Sequence, residues 1–274
     1  MLEVIAYLAA SVIGITLGLI GGGGSVLTVP ILVYLSGISA VTATAYSLFI
    51  VGTASMVGSV SYFKKGLVSI KTAVIFGIPS LIAVFITRKF LVPALPEELL
   101  TVSGLLITKD ILLMVIFALL MIFASYSMIK DKKKGGNDEQ VEQKFNYPLI
   151  LLEGALVGLL TGLVGAGGGF LIIPALVILS KLPMKMAVGT SLVIISVKSL
   201  TGFLGDVSNL NIDWRFLLLF TSIAVVGIFV GTYLSNFIEG KKLKPAFGWF
   251  VLVMGIYILG RELFFNKHNN NLQL

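Results

Sequence analysis

The chain predicts an all-α polytopic membrane protein: about eight transmembrane helices as two tandem four-helix repeats, each with a glycine-broken, short re-entrant segment. Three observations carry that expectation. Of the 274 residues, 57% are hydrophobic and only 12% charged, and the mean hydropathy is +1.04. Between Glu3 and Lys64 the only ionisable side chains are tyrosines; a span needs roughly 20 apolar residues, so this tract holds two with some to spare. Finally, the stretch Gly18-Leu19-Ile20-Gly21-Gly22-Gly23-Gly24-Ser25-Val26-Leu27-Thr28-Val29-Pro30 recurs as Gly162-Leu163-Val164-Gly165-Ala166-Gly167-Gly168-Gly169-Phe170-Leu171-Ile172-Ile173-Pro174.

Taken in order, the charge-poor runs place spans at about Leu2–Ile20, Val41–Phe63, Ile70–Thr87 and Ile111–Ile129 in the first half. In the second half they fall at Tyr147–Val164, Met186–Leu204, Arg215–Phe237 and Pro245–Gly260. Between the first two spans of each half lies a short apolar piece, Ser25–Ser36 or Phe170–Ser180. At about 12 residues it is too short to cross and fits a re-entrant or interfacial segment. The N-terminus lacks the basic region of a cleavable signal, so the first run reads as a retained span.

The halves align with Gly18 on Gly162, an offset of 144 residues. That offset also sets Ala43-Thr44-Ala45-Tyr46-Ser47-Leu48 on Ala187-Val188-Gly189-Thr190-Ser191-Leu192, and Gly66–Lys71 on Leu210–Arg215. The offset drops to about 133 for the last spans, which puts an insertion near Leu91–Ile107. This is an internal duplication. The first repeat covers 1–130, a charged linker 131–146, the second repeat 147–265 and a polar tail 266–274. The linker, rich in lysine and without apolar periodicity, reads as a cytoplasmic tether. With four spans per half and re-entrant short segments, termini and linker share the cytoplasmic side and the repeats are parallel, related by an axis along the membrane normal. If the short segments crossed instead, the lysine-rich linker would move outside, against the positive-inside rule, and the repeats would be inverted. Lys64, Lys65, Lys71, Arg215, Arg261 and Lys267 then lie inside, with Arg88, Lys89, Lys109 and Lys185 among those on the opposite face.

Several chemistries are excluded. There is no cysteine, and the single histidine, His268, sits in the Asn-rich tail; disulfides and a Cys/His metal site are ruled out, and no cofactor is expected. The net charge of +7 follows span ends and the linker, so it points to a lipid bilayer and not to nucleic acid. No Gly-Lys-Ser/Thr ending follows either glycine run, which rules against a nucleotide loop. Gly202-Phe203-Leu204-Gly205-Asp206 faintly resembles an intramembrane aspartyl protease motif, but no second intramembrane aspartate shares its proton, so an enzyme is not expected.

The glycine runs are the main site candidates. A helix beginning near Ser25 or Phe170 leaves backbone N–H groups without intrahelical partners, and with the macrodipole this suits an anion. Gly22, Gly23, Gly24 and Ser25, with Gly167, Gly168 and Gly169, are the candidate donors. Paired breaks in matching halves are the best pointer to a transporter's substrate site. The competing reading is close helix packing, as in Gly14-x-x-x-Gly18, Gly154-x-x-x-Gly158-x-x-x-Gly162 and Gly227-x-x-x-Gly231. Thr44, Tyr46 and Ser47 against Thr190 and Ser191 add hydroxyls that either bind substrate or bond between helices. Lys198 is a basic residue deep in a span, about 19 Å of helix from Lys185. It either attracts an anion or snorkels to the interface. Glu153 and Asp206 are candidates for carrying a coupled proton or are interfacial carboxylates.

The twin glycine turns, the Ala-x-[Ala/Gly]-x-Ser-Leu stretch after each, and Asn211-Ile212-Asp213-Trp214-Arg215 together resemble the sulfite exporter TauE/SafE family, also called the toluene-sulfonate uptake permeases. The resemblance covers nearly the whole chain. The first repeat departs from it where Gly66–Lys71 lacks the Asp-Trp and Tyr46 stands opposite Thr190. The resemblance implies secondary, proton-coupled transport of a small sulfur-containing anion (sulfite, sulfonate, sulfoacetate or thiosulfate class) across the cytoplasmic membrane. Substrate-binding residues are then Gly22–Ser25, Ser47, Gly167–Gly169, Thr190, Ser191 and Lys198. An anion channel, a carrier for a non-sulfur carboxylate, and a homodimeric assembly are compatible with the same features.

Overall fold

A computed structural model describes residues 2–96, 98–102, 105–129, 147–165, 167–178, 180, 182–238 and 240–270. The linker 131–146 and the last four residues lie outside the described residues. The helices are α1 (Leu2–Ile20), α2 (Ser25–Tyr34), α3 (Ala40–Lys64), α4 (Ile70–Ile86), α5 (Val92–Ala94), α6 (Lys109–Ile129), α7 (Tyr147–Val164), α8 (Gly169–Ile178), α9 (Met184–Asp206), α10 (Trp214–Leu234) and α11 (Gly240–Asn270). A π-helical turn, Thr87–Leu91, joins α4 to α5. Among the described residues five helices are long and apolar enough to cross a membrane, and α1, α2 and α7 supply shorter apolar segments. Large apolar side chains such as Leu8, Ile78, Phe123, Leu204, Val226 and Phe229 face outward. That surface suits hydrocarbon, so the protein is a multi-pass membrane protein.

The expectation of an all-α chain needs one amendment. A two-stranded antiparallel hairpin, β1 (Glu98–Val102) and β2 (Leu105–Thr108), occupies the place where the offset between the halves changes. The helix limits follow local chemistry. The Ser39 side chain accepts from the Thr42 N–H at 3.4 Å to cap α3, and Asp213 accepts from Phe216 N–H at 3.1 Å to cap α10. Gly66, at φ 68°, stops α3 in the left-handed conformation that glycine adopts without steric cost.

Glycine contacts set the direction of each helix. Gly14 packs on Ala224 and Gly227, and Gly18 on Ile228 and Gly231, so α1 and α10 run parallel. Likewise Gly154 meets Phe76, Gly158 meets Ser80 and Gly162 meets Thr87, so α7 runs parallel to α4. Between α3 and α9 the order reverses: Leu48 meets Gly202, Gly52 meets Leu200, Gly58 meets Leu192 and Tyr62 meets Gly189. Those two helices correspond under the offset of 144, yet they are antiparallel. An axis along the membrane normal would leave them parallel. The physical reason is α2. After the glycine turn the chain folds back, with Gly24 against Ile13, Thr16 and Leu17 of α1, so the short helix reverses the chain once more in each half.

The same reversal sets the two ends of the bundle. Ala6 near the start of α1 lines the same cavity as Tyr34, and Tyr34 donates to Glu262 near the end of α11 at 2.7 Å. The end of α6 and the start of α7, which flank the linker, lie at the opposite end of the bundle. The first residues of α1 and the last of α11 therefore lie at one end of the bundle, and the end of α6 and the start of α7 at the other. Lys64, Lys65, Lys71 and Lys185 gather at the linker end, and Lys89, Lys109, Arg215 and Arg261 at the other.

Candidate functional site

The two glycine runs meet. Gly21 and Gly165, equivalent in the halves, have φ of 72° and 68°, as Gly167 and Gly168 have 64° and 75°; a side chain is strained at each. Gly22–Gly24 forms a single 3₁₀ turn before α2. A Cβ on Gly22 would overlap Gly169 Cα, and one on Gly169 would overlap the Gly22 backbone. The contact lies beside Ile195, halfway along α9. From it α2 runs toward the end carrying the termini and α8 toward the linker end. Their N-termini thus face one another in the bundle interior, each with its positive dipole end inward. Gly24 precedes α2 with no side-chain cap, while Ser25 Oγ donates to Gly22 O at 2.5 Å. The glycines permit a close backbone crossing, and two helices begin at it.

Lys198 is fully buried beside this crossing. Its Nζ donates to Thr161 Oγ1 at 2.8 Å and lies against Gly168. Lys198 does not snorkel; it points into the protein, where burying an ammonium group is costly unless something compensates it. Its equivalents in the first half are apolar, Ala54 for Lys198 and Leu17 for Thr161. Ser199, next along α9, approaches Gly167, and its hydroxyl is buried with no hydrogen-bond partner, as are those of Ser47 and Ser55. Ser55 and Ser199 are equivalent positions, a recurrence visible in the sequence that the hydroxyl candidates did not include.

The remaining candidates divide. Ser191 lies against Gly21 and returns its hydroxyl to Val188 O at 2.8 Å. Thr190 Oγ1 accepts from the Ser69 N–H at 2.9 Å, and its equivalent Tyr46 accepts from the Asp213 N–H at 2.6 Å. Each hydroxyl thereby holds the first residue before α4 or α10 of the opposite half. Glu153 is half-buried on α7, about 12 Å of helix before Thr161, and is not brought to the crossing. Asp206 is buried and forms an ion pair with Arg88, Nη1 to Oδ2 at 3.5 Å. Arg88, expected among the basic residues on the face opposite the linker, is completely buried. Its guanidinium lies against Gly165, which also packs on Thr44. At the end where α1 begins lies a cavity of about 650 Å³, lined by Tyr34, Ser36, Thr42, Tyr46 and Asp213 among others.

A family model described as Sulfite exporter TauE/SafE matches residues 6–258. A probable membrane transporter protein of Xylella fastidiosa (strain 9a5c) is 28% identical over 258 residues, covering 93% of this chain and 94% of its own. The probable membrane transporter protein YunE of Bacillus subtilis (strain 168) is 25% identical over 279 residues, covering 95% and 97%. The probable membrane transporter protein MJ0441 of Methanocaldococcus jannaschii is 35% identical over 117 residues, covering 40% and 44%. No solved structure matches the chain. With a match running from the first helix to the last, the chain belongs to the sulfite exporter TauE/SafE family of membrane transporters.

Proposed function

We propose that this protein is a secondary transporter that carries a small sulfur-containing anion across the cytoplasmic membrane by alternating access. The observation that carries the reading is Lys198: a buried ammonium with a neutral hydroxyl as partner, set where two helix N-termini face each other. An oxyanion between the turns would be held by N–H groups of Gly22–Ser25 and Gly167–Gly169, by Lys198, and by hydroxyls of Ser47, Ser191 and Ser199. Thr190 contributes through the start of α4, which it holds. The sulfur comes from the family's name, since a carboxylate suits the same donors.

The reading has eight full spans in two inverted halves, with α2 and α8 as half-helices that end inside. The antiparallel α3 and α9 support the inversion. The lysines of the linker join Lys64, Lys65, Lys71 and Lys185 at one end of the bundle, so the positive-inside rule puts that end in the cytoplasm and the termini outside. Proton coupling falls to Asp206 rather than Glu153, because Asp206 is buried against a cation and its charge state is tied to what Arg88 contacts.

Uptake of labelled sulfite, sulfoacetate and acetate into proteoliposomes, with and without a pH gradient, tests this. Saturable flux of the sulfur anions, driven by the gradient, is the expected result. Absence of saturable flux for all three would sink the transporter reading; acetate alone would replace the sulfur anion with a carboxylate.

A further inference from the structure

Arg88 sits in the π-helical turn after α4 with its side chain wholly buried. Its Nε, Nη1 and Nη2 all lack a hydrogen-bond partner, as does Asp206 Oδ2. At 3.5 Å the two charges neutralise one another without closing hydrogen bonds. Native folds seldom leave buried donors unmet, and those that persist call for an explanation. The guanidinium lies against Gly165, where a Cβ would overlap Nη2 and Thr44, so glycine is what lets it reach the turn that precedes α8. π-turns of this sort are frequent at functional sites.

The fold contains its own control. Under the offset of 144, Arg88 and Asp206 correspond to Thr232 and Tyr62. There the corner holds only neutral groups: Tyr62 Oη lies 3.1 Å from both Gly18 O and Ser235 Oγ, and Thr232 Oγ1 is buried without a hydrogen-bond partner. Packing a helix end at this position therefore needs no charges. A guanidinium with an unfilled fork of donors is suited to a planar or trigonal oxyanion, and Asp206 lies about 12 Å of helix beyond Lys198.

We propose that Arg88 is a second anion-binding residue on the transport path, and that Asp206 holds its place as a built-in carboxylate until a small oxyanion arrives. The anion would pass between Lys198 and Arg88, displacing Asp206 at the latter. This deepens the transport reading and rests on it.

Sulfite binding to the purified full chain in detergent, measured by titration calorimetry, provides the test. Removing the competitor in D206N should tighten sulfite binding about fivefold or more, and the gain should vanish in the R88Q/D206N double variant. R88K, which keeps the charge and loses the fork, should weaken binding; it decides the matter if D206N does not fold. Binding in D206N no tighter than wild type, a gain that survives loss of Arg88, or unchanged affinity in R88K overturns the assignment. Wild-type protein that binds no sulfite sinks the transport reading itself, whereas wild-type binding with unmoved variants sinks only the role of Arg88.

Discussion

Lys198 is the residue on which function and stability pull in opposite directions. A buried ammonium facing one hydroxyl is a poor choice for folding, and replacing buried charge with apolar side chains of similar volume is often neutral or stabilising. Lys198→Met should therefore melt at or above the wild-type temperature in detergent while anion flux falls about tenfold or more, the loss expected from about 1.4 kcal/mol of binding. A variant that unfolds, or one that transports normally, would mark Lys198 as structural. The sequence exposed Lys198 because no other basic residue stands so far from a span end. Arg88 escaped because it follows Thr87, where the span reads as ending. The warning lay just beyond it, where Phe90-Leu91-Val92-Pro93-Ala94 continues the apolar run and draws the arginine inside.

At the scale of elements, the glycine patterns separate by what they touch. Gly14 and Gly18 interlock with Gly227 and Gly231, and the backbones approach as small residues allow. Gly260, on α11, has nothing within 4 Å of a built Cβ. Gly231→Leu should abolish the monodisperse peak in size-exclusion chromatography, whereas Gly260→Leu should leave it unchanged; equal behaviour of the two would refute the α1–α10 interlock. Helix limits were largely legible, since α1 and α7 begin and end at the charge and glycine signals. What α2 and α8 do was not. A segment of about 12 apolar residues has the same length whether it skims the interface or returns through the interior, and only contacts such as Gly24 on Leu17 tell the two apart.

For the whole molecule, that one distinction sets everything about sidedness. Counting α2 and α8 as return legs would put the linker and the termini on opposite sides; counting them as re-entrant joins them on one. The chain has no cysteine, so single cysteines placed in the linker and in the tail can be read without background by a membrane-impermeant maleimide. The two sites should label from opposite faces of the membrane; labelling from the same face would contradict the inverted arrangement. The central claim is that a charged interior crossing of two helix ends carries an anion by a saturable, reorienting step. Counterflow tests it most directly: vesicles holding the protein are loaded with unlabelled sulfite and diluted into a trace of labelled sulfite. Alternating access predicts transient accumulation of label above its equilibrium level, lost in Lys198→Met. Simple equilibration without an overshoot in the wild-type protein would contradict it.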